Sequence, residues 1–292
     1  MLQAVAFYLT YPVIYLVAHL PFGVMYALSD VLSLLFRLSG YRRKVVWTNL
    51  RNSFPDKTDA EIDVLCRKYF KYLCDLILET LSTMAMTEAD YQKRCKFHAA
   101  PWLDDLYQKK QSFIIVMGHH GNWEWAGPSF TLNTKHQLVV IYRPLSNPYF
   151  ERMLVKMRTR FGTRITPVKD TLRDMVSNRN QITATAFIAD QTATPDHAYW
   201  MHWLNQDTAV FTGPGKLAVK FKYPVVYINV TRPRRGYYEF TPELLFEDVS
   251  HSTDEEILLA FNRRLEKEII RTPEIWLWSH KRWKHKRPQT VS

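Results

Sequence analysis

Hydrophobic positions along the chain follow two different spacings, and each change of spacing marks an element. Two almost uncharged apolar runs, separated by Pro21, open the sequence and predict helices over residues 3–19 and 22–38. The first run of 17 residues makes roughly 25 Å of helix, a little short of a 30 Å hydrocarbon core, and Pro12, Pro21 and Gly23 interrupt the stretch. Residues 59–84 place Ile62, Leu65, Cys66, Tyr69, Phe70, Leu73, Leu76, Ile77 and Thr80 on one stripe, the mark of a long amphipathic helix started by Pro55-Asp56-Lys57-Thr58. A second such stripe, Ile257, Leu258, Phe261, Leu265 and Ile269, predicts a helix over 253–272, with Ser252 or Thr253 as cap and Glu256 placed for a capping box.

Between these helices the period shortens. Residues 112–117, 137–142, 163–168, 181–189 and 224–230 are short β-branched runs that read as buried strands, with helices over 147–161, 172–177 and 212–222 between them. Residues 97–110 read as a loop and a short helix, and 237–241 as a further strand. In 197–204 the alternation of Tyr199, Met201 and Trp203 predicts an edge strand whose aromatics border an apolar groove. Strands alternating with helices imply an α/β fold with a central, mainly parallel sheet flanked by helices. The expected division is an N-terminal membrane-associated part, 1–45, and one domain over 46–292; no internal repeat or linker is visible.

Charge narrows the setting. Met1 to Ser29 holds no Lys, Arg, Asp or Glu, and the next charges are mostly basic: Arg37, Arg42, Arg43, Lys44 and Arg51. With no basic stretch before the apolar run and no small-residue cleavage site after it, a removed signal peptide fits poorly. Either a single anchor helix or a pair of helices lying in the interface fits, and both put the downstream domain at the cytoplasmic face of the membrane. Lys plus Arg exceed Asp plus Glu by 39 to 28, a net +11 that favours anionic partners such as lipid headgroups, an acidic carrier protein or nucleic acid. Three cysteines, Cys66, Cys74 and Cys95, read as packed thiols in a reducing compartment, and no zinc pattern is present. The tail from Glu274 to Arg287 combines Trp276, Trp278 and Trp283 with five Lys or Arg, which suits a membrane interface or stacking on single-stranded nucleic acid. The uncharged N-terminus tips the balance toward the membrane.

The chemistry concentrates in His119-His120-Gly121-Asn122-Trp123-Glu124, placed where the 112–117 strand turns into a helix that Asn122 caps. On one helix His119 and Glu124 would sit about 140° apart; with His119 at the strand end and Glu124 in the first helical turn, both face one cleft. A neutral imidazole takes the proton of a hydroxyl as it attacks a carbonyl, while a carboxylate on the other ring nitrogen fixes the tautomer. His119 is therefore the expected base and Glu124 its orienter. Gly121 allows close backbone approach, and the free N–H groups of the helix start at Asn122 suit an oxyanion or phosphate. Pro128 lies inside this helix, and adjacent His120 points the other way. Gly-x-Ser-x-Gly is absent, which argues against a serine hydrolase.

These six residues, followed by Tyr142-Arg143-Pro144-Leu145-Ser146-Asn147-Pro148, then Asp190-Gln191, and finally Trp276 to Trp283, resemble the bacterial lipid A late acyltransferase family, related to the acyltransferases of phosphatidylinositol mannosides. The likeness runs from about residue 5 to 287 with the motifs in the family's order. It implies a glycerolipid acyltransferase-like fold and transfer of a fatty acyl chain from acyl carrier protein or coenzyme A to a hydroxyl of a membrane glycolipid, by His119 and Glu124. Gly121, Asn122, Arg143, Asp190 and Gln191 are the expected substrate-binding residues. Arg143 is placed for a phosphate or the donor's phosphopantetheine, and Asp190 for a sugar hydroxyl or for orienting Arg143. No cofactor or metal is implied, the partners are the carrier protein, the glycolipid acceptor and an anionic membrane surface, and no nucleic acid is expected. The same chemistry on another lipid is the nearest alternative, and a non-catalytic basic binder the more distant one.

Overall fold

The computed structural model describes residues 2–195 and 198–288. Its N-terminal elements are helices: α1 (Leu2–Ala18), α2 (Phe22–Ser39), α3 (Arg43–Ser53), α4 (Asp59–Ser82) and α5 (Glu88–Arg94). Next come β1 (Cys95–Phe97), α6 (Pro101–Gln108), β2 (Phe113–Met117), α7 (Trp123–Asn133), β3 (Gln137–Tyr142), α8 (Pro148–Thr159), β4 (Arg164–Pro167), α9 (Thr171–Ser177) and β5 (Thr183–Ile188). The C-terminal part comprises β6 (Tyr199–Trp203), β7 (Gln206–Val210), α10 (Gly213–Phe221), β8 (Val225–Arg234), β9 (Tyr237–Phe246) and α11 (Asp254–Arg271). The capping box read at Thr253 and Glu256 is formed, and Thr58 with Glu61 makes another at the start of α4.

Seven strands form one sheet in the order β1-β9-β8-β2-β5-β3-β4, parallel throughout except for the β8–β9 pair. Alternate residues of β2 enter opposite cores. Ile114 and Val116 pack with α4, α11 and the C-terminal segment, whereas Phe113, Ile115 and Met117 pack with α5, α6 and α7. All five are buried, and each contributes about 1.5–3 kcal/mol over an exposed position. That two-sided burial explains why β2 reads as a continuous apolar run.

Some expectations change. The short β1 and the helices α3 and α5 carry no sequence signal strong enough to announce them. The aromatic alternation around 199–203 does form a strand, but in a separate hairpin with β7, and Trp203 is fully buried with its Nε1 donating to the Asn262 carbonyl (2.9 Å). It lines no groove. His197, where that strand was expected to open, lies outside the described residues.

The apolar N-terminal helices pack on α4. Large side chains of both, among them Leu9, Val13, Leu16, Val31, Leu34, Leu35 and Leu38, stay exposed, and α2 is long and apolar enough to cross a membrane. Polar bonds fasten α2 to the body. Ser29 Oγ donates to buried Asp75 (2.6 Å), Arg235 bridges Asp75 and Asp30, and Tyr26 donates to fully buried Glu79 (2.8 Å).

Candidate active site

In-register parallel pairing of Met117 with Ile188 ends β2 and β5 side by side, so residues two positions beyond each strand end meet. Those residues are His119 and Asp190. The His119 backbone N–H donates to Asp190 Oδ2 (2.7 Å) and the ring Nδ1–H to Oδ1 (2.5 Å), while Trp276 Nε1 donates to Oδ2 (2.7 Å). Burial alone would raise the Asp190 carboxyl, but the His119 imidazole and these three donors outweigh it and hold it at about 2. The carboxylate is thus ionised at neutral pH. A Cβ at Gly118 would come 2.7 Å from the Leu265 methyls and 3.0 Å from Asp190 Oδ2, so any larger residue there displaces the Leu265 side chain.

With Nδ1 committed to Asp190, the lone pair of Nε2 is left for chemistry. It accepts from the Gln191 side-chain amide at 3.3 Å, and both residues line a cavity of about 830 Å³. Its walls are mostly apolar: Trp123, Pro128, Val140, Ile141, Val168, Ile188 and Phe211. A small apolar recess shares Trp123, Gly127, Val140 and Ile188 with it and continues between α7 and the sheet. Exposed Arg143 and Lys169 stand on its border. Pro128, inside α7, is one of these wall residues; lacking an N–H, it leaves the Glu124 carbonyl without its intrahelical donor.

Glu124 lines the same cavity, as the spacing implied, but does not touch the imidazole. Its carboxylate accepts from Arg158 Nε (3.0 Å) and Nη2 in a two-pronged ion pair across to α8. Nδ1 of His119 is therefore met by Asp190 and not by the expected Glu124, since the helical turn carrying Glu124 points it at α8 while the neighbouring strand delivers Asp190. Asp190 in turn is bonded to His119 and Trp276 and makes no hydrogen bond to Arg143.

Gly121 and Asn122 do not border the cavity. Gly121 adopts φ +66° with Val230 pressed against its α-carbon; its N–H donates to the Ile275 carbonyl (2.9 Å), and its own carbonyl accepts from Tyr72 (2.6 Å). Asn122 is fully buried, accepting from the Trp125 N–H (2.9 Å) and donating to Glu79 (2.9 Å). Both shape the turn from beneath. His120 is buried, bonded to Thr272, and burial pushes its pKa down to about 4.

Two of the three tail tryptophans are buried, and Trp283 is half-buried. Trp276 and Trp278 are buried, Trp278 donating to the Pro273 carbonyl, and Trp283 donates to Thr208. Apolar neighbours on α4 and β6 enclose Trp276 and Trp278, which removes the membrane-interface and stacking readings for these two rings. The one to which chemistry attaches is Trp276, through Asp190. Glu79 escaped sequence reasoning altogether. The signal for Asp190 was present, because two buried strands ending in His and Asp become partners once β2 and β5 are neighbours.

The family model described as bacterial lipid A biosynthesis acyltransferase matches residues 1–285. The chain is 26% identical to the lipid A biosynthesis palmitoleoyltransferase of Escherichia coli (strain K12) over 282 residues, 93% of this chain and 89% of that protein. To the lauroyltransferase of the same organism it is 24% identical over 284 residues, 96% and 91% of the two chains, and to the myristoyltransferase 19% identical over 259 residues, 87% and 79%.

Proposed function

Because the chain belongs to the bacterial lipid A biosynthesis acyltransferase family and is an acyltransferase, we propose that it moves a fatty acyl chain from an acyl thioester to a hydroxyl of a lipid A precursor, with His119 as general base and Asp190 as its orienter. The acceptor hydroxyl displaces Gln191 from Nε2 and gives its proton to His119 as its oxygen attacks the thioester carbonyl. Asp190 stabilises the imidazolium, which returns the proton to the departing thiolate as the tetrahedral intermediate collapses to ester. No acyl-enzyme forms. Glu124 acts with Arg158 as a fixed ion pair in the cavity wall, positioning substrate, and Arg143 with Lys169 attracts phosphate at the mouth. The apolar walls and the recess beside Trp123 take the acyl chain. Acyl carrier protein is the proposed donor, drawn by the net positive charge, and the exposed faces of α1 and α2 seat the enzyme on the cytoplasmic side of the inner membrane.

The observation that carries this reading is Asp190 on Nδ1 with Nε2 open to an apolar cavity. The test is incubation of the purified protein with acyl carrier protein charged with several chain lengths and a panel of glycolipid acceptors. The expected product is an acceptor heavier by one acyl chain, absent with His119→Ala. Transfer to lysophospholipid alone would move the reading to another lipid, and transfer unaffected by His119→Ala would remove the mechanism.

A further inference from the structure

A second cavity, of about 250 Å³, lies between α2 and α4, away from His119. Arg37, Arg43 and Arg67 line it together with Asp63, so three cations against one anion leave a formal +2. Arg43 reaches Asp63 at only 3.7 Å, and Arg37 and Arg67 have no acidic partner among the described residues. Leu34, Leu38 and Phe70 supply apolar walls. Leu34, Arg37 and Leu38 are three and four positions apart and so share one face of α2, where the apolar surface ends and the basic cluster begins. Leu34 and Leu38 are 51% and 75% exposed, open to whatever surrounds the helix.

We propose that this cavity binds the phosphodiester headgroup of an anionic bilayer phospholipid, its phosphate among Arg37, Arg43 and Arg67 and its chains along Leu34 and Leu38. A guanidinium matches phosphate with paired donors, and long arginine side chains lay their carbons on apolar surface while the head stays polar. The C-terminal end of α2 opposes an anion with the equivalent of about half a negative charge, which the +2 lining outweighs. Free phosphate would use the arginines and leave the leucines idle. A zwitterionic lipid would bring its own cation into the cluster. The apolar and cationic walls together fit an anionic lipid.

The test is flotation of the full chain on vesicles of pure phosphatidylcholine or of phosphatidylcholine with phosphatidylglycerol, with Arg37→Gln/Arg67→Gln and, for equal charge lost elsewhere, Lys93→Gln/Lys96→Gln. Each basic residue near an anionic surface accounts for roughly fivefold in binding, so the arginine pair should lose roughly tenfold to thirtyfold of the phosphatidylglycerol preference. Binding to pure phosphatidylcholine, which rests on α1 and α2, and turnover in detergent should be unchanged, and the lysine pair should lose far less. Equal losses for both pairs would mean diffuse charge and overturn the site. Competition by millimolar inorganic phosphate or by a single-stranded oligonucleotide as effective as that by phosphatidylglycerol would overturn the lipid assignment. So would a raised KM for the glycolipid acceptor with phosphatidylglycerol preference intact.

Discussion

Replacing Asp190 by Asn keeps the side chain's shape and removes its charge. Three N–H groups point at this carboxylate, two of them from His119. An amide cannot accept all three, because one of its two ends donates. The imidazole then turns over its tautomer to accept from the Asn Nδ2 on Nδ1, which moves the proton to Nε2 and blocks the base. Loss of a general base costs roughly 10²–10⁴ in rate, and the equivalent change in a serine protease triad about 10⁴ in kcat. Stability falls too. The Asp190 pKa is depressed from 3.8 to about 2, so its contribution is complete above 3.8, is lost as pH falls toward 2, and comes to about 2 kcal/mol at neutral pH. Thiol release from an acyl thioester in the presence of acceptor measures turnover, and circular dichroism gives the folded fraction by which to normalise it. A folded Asp190→Asn enzyme within about threefold of the parent kcat would refute the His119–Asp190 pairing as the source of the base.

Four further substitutions separate the remaining parts. Glu124→Ala should lower turnover by roughly 10²-fold by unpairing Arg158, and adding Arg158→Ala should cost little more, since the two act as a unit; additive losses in a double-mutant cycle would contradict this. Trp276→Phe keeps the buried ring but not its hydrogen bond to the Asp190 carboxylate, worth about 1.5–3 kcal/mol, so kcat should fall by roughly tenfold or more with KM for acceptor unchanged. Gly121→Ala must hold φ +66° and push a Cβ to 2.4 Å from Val230 Cγ1, so thermal unfolding should drop by several degrees; an unaltered melting temperature would show that the turn can relax.

Strands and long helices were legible because each is under one dominant constraint. The buried runs at 113–117, 137–142 and 183–188 have no other means of hiding their apolar side chains, and the stripes of α4 and α11 fix their phase. The place of His119 was legible because a strand end followed by a capped helix has few geometries. Its partner was not, because the spacing from His119 to Glu124 is local whereas the contact to Asp190 spans 71 residues and depends on strand order. The tail was misread for a related reason: Trp276 and Trp278 beside a run of cations look amphipathic in one dimension, yet the segment folds back so that its rings fill the core and Arg282 is buried with them.

The bonds from Tyr26, Ser29 and Asp30 to Glu79, Asp75 and Arg235 make α2 a bolt where a leash was conceivable. A leashed enzyme tumbles above the lipid and samples many tilts. Here Glu79 holds Tyr26 with one oxygen and Asn122 with the other, so the turn that carries His119 is referenced, three residues away, to the apolar helix α2. On the proposed function, the height of the base above the lipid plane is consequently set by these hydrogen bonds, and the acceptor reaches it by lateral sliding. Proteolytic removal of residues 1–39 would strip partners from two buried carboxylates and loosen that turn, so the excised remainder should be impaired even on substrates dispersed in detergent.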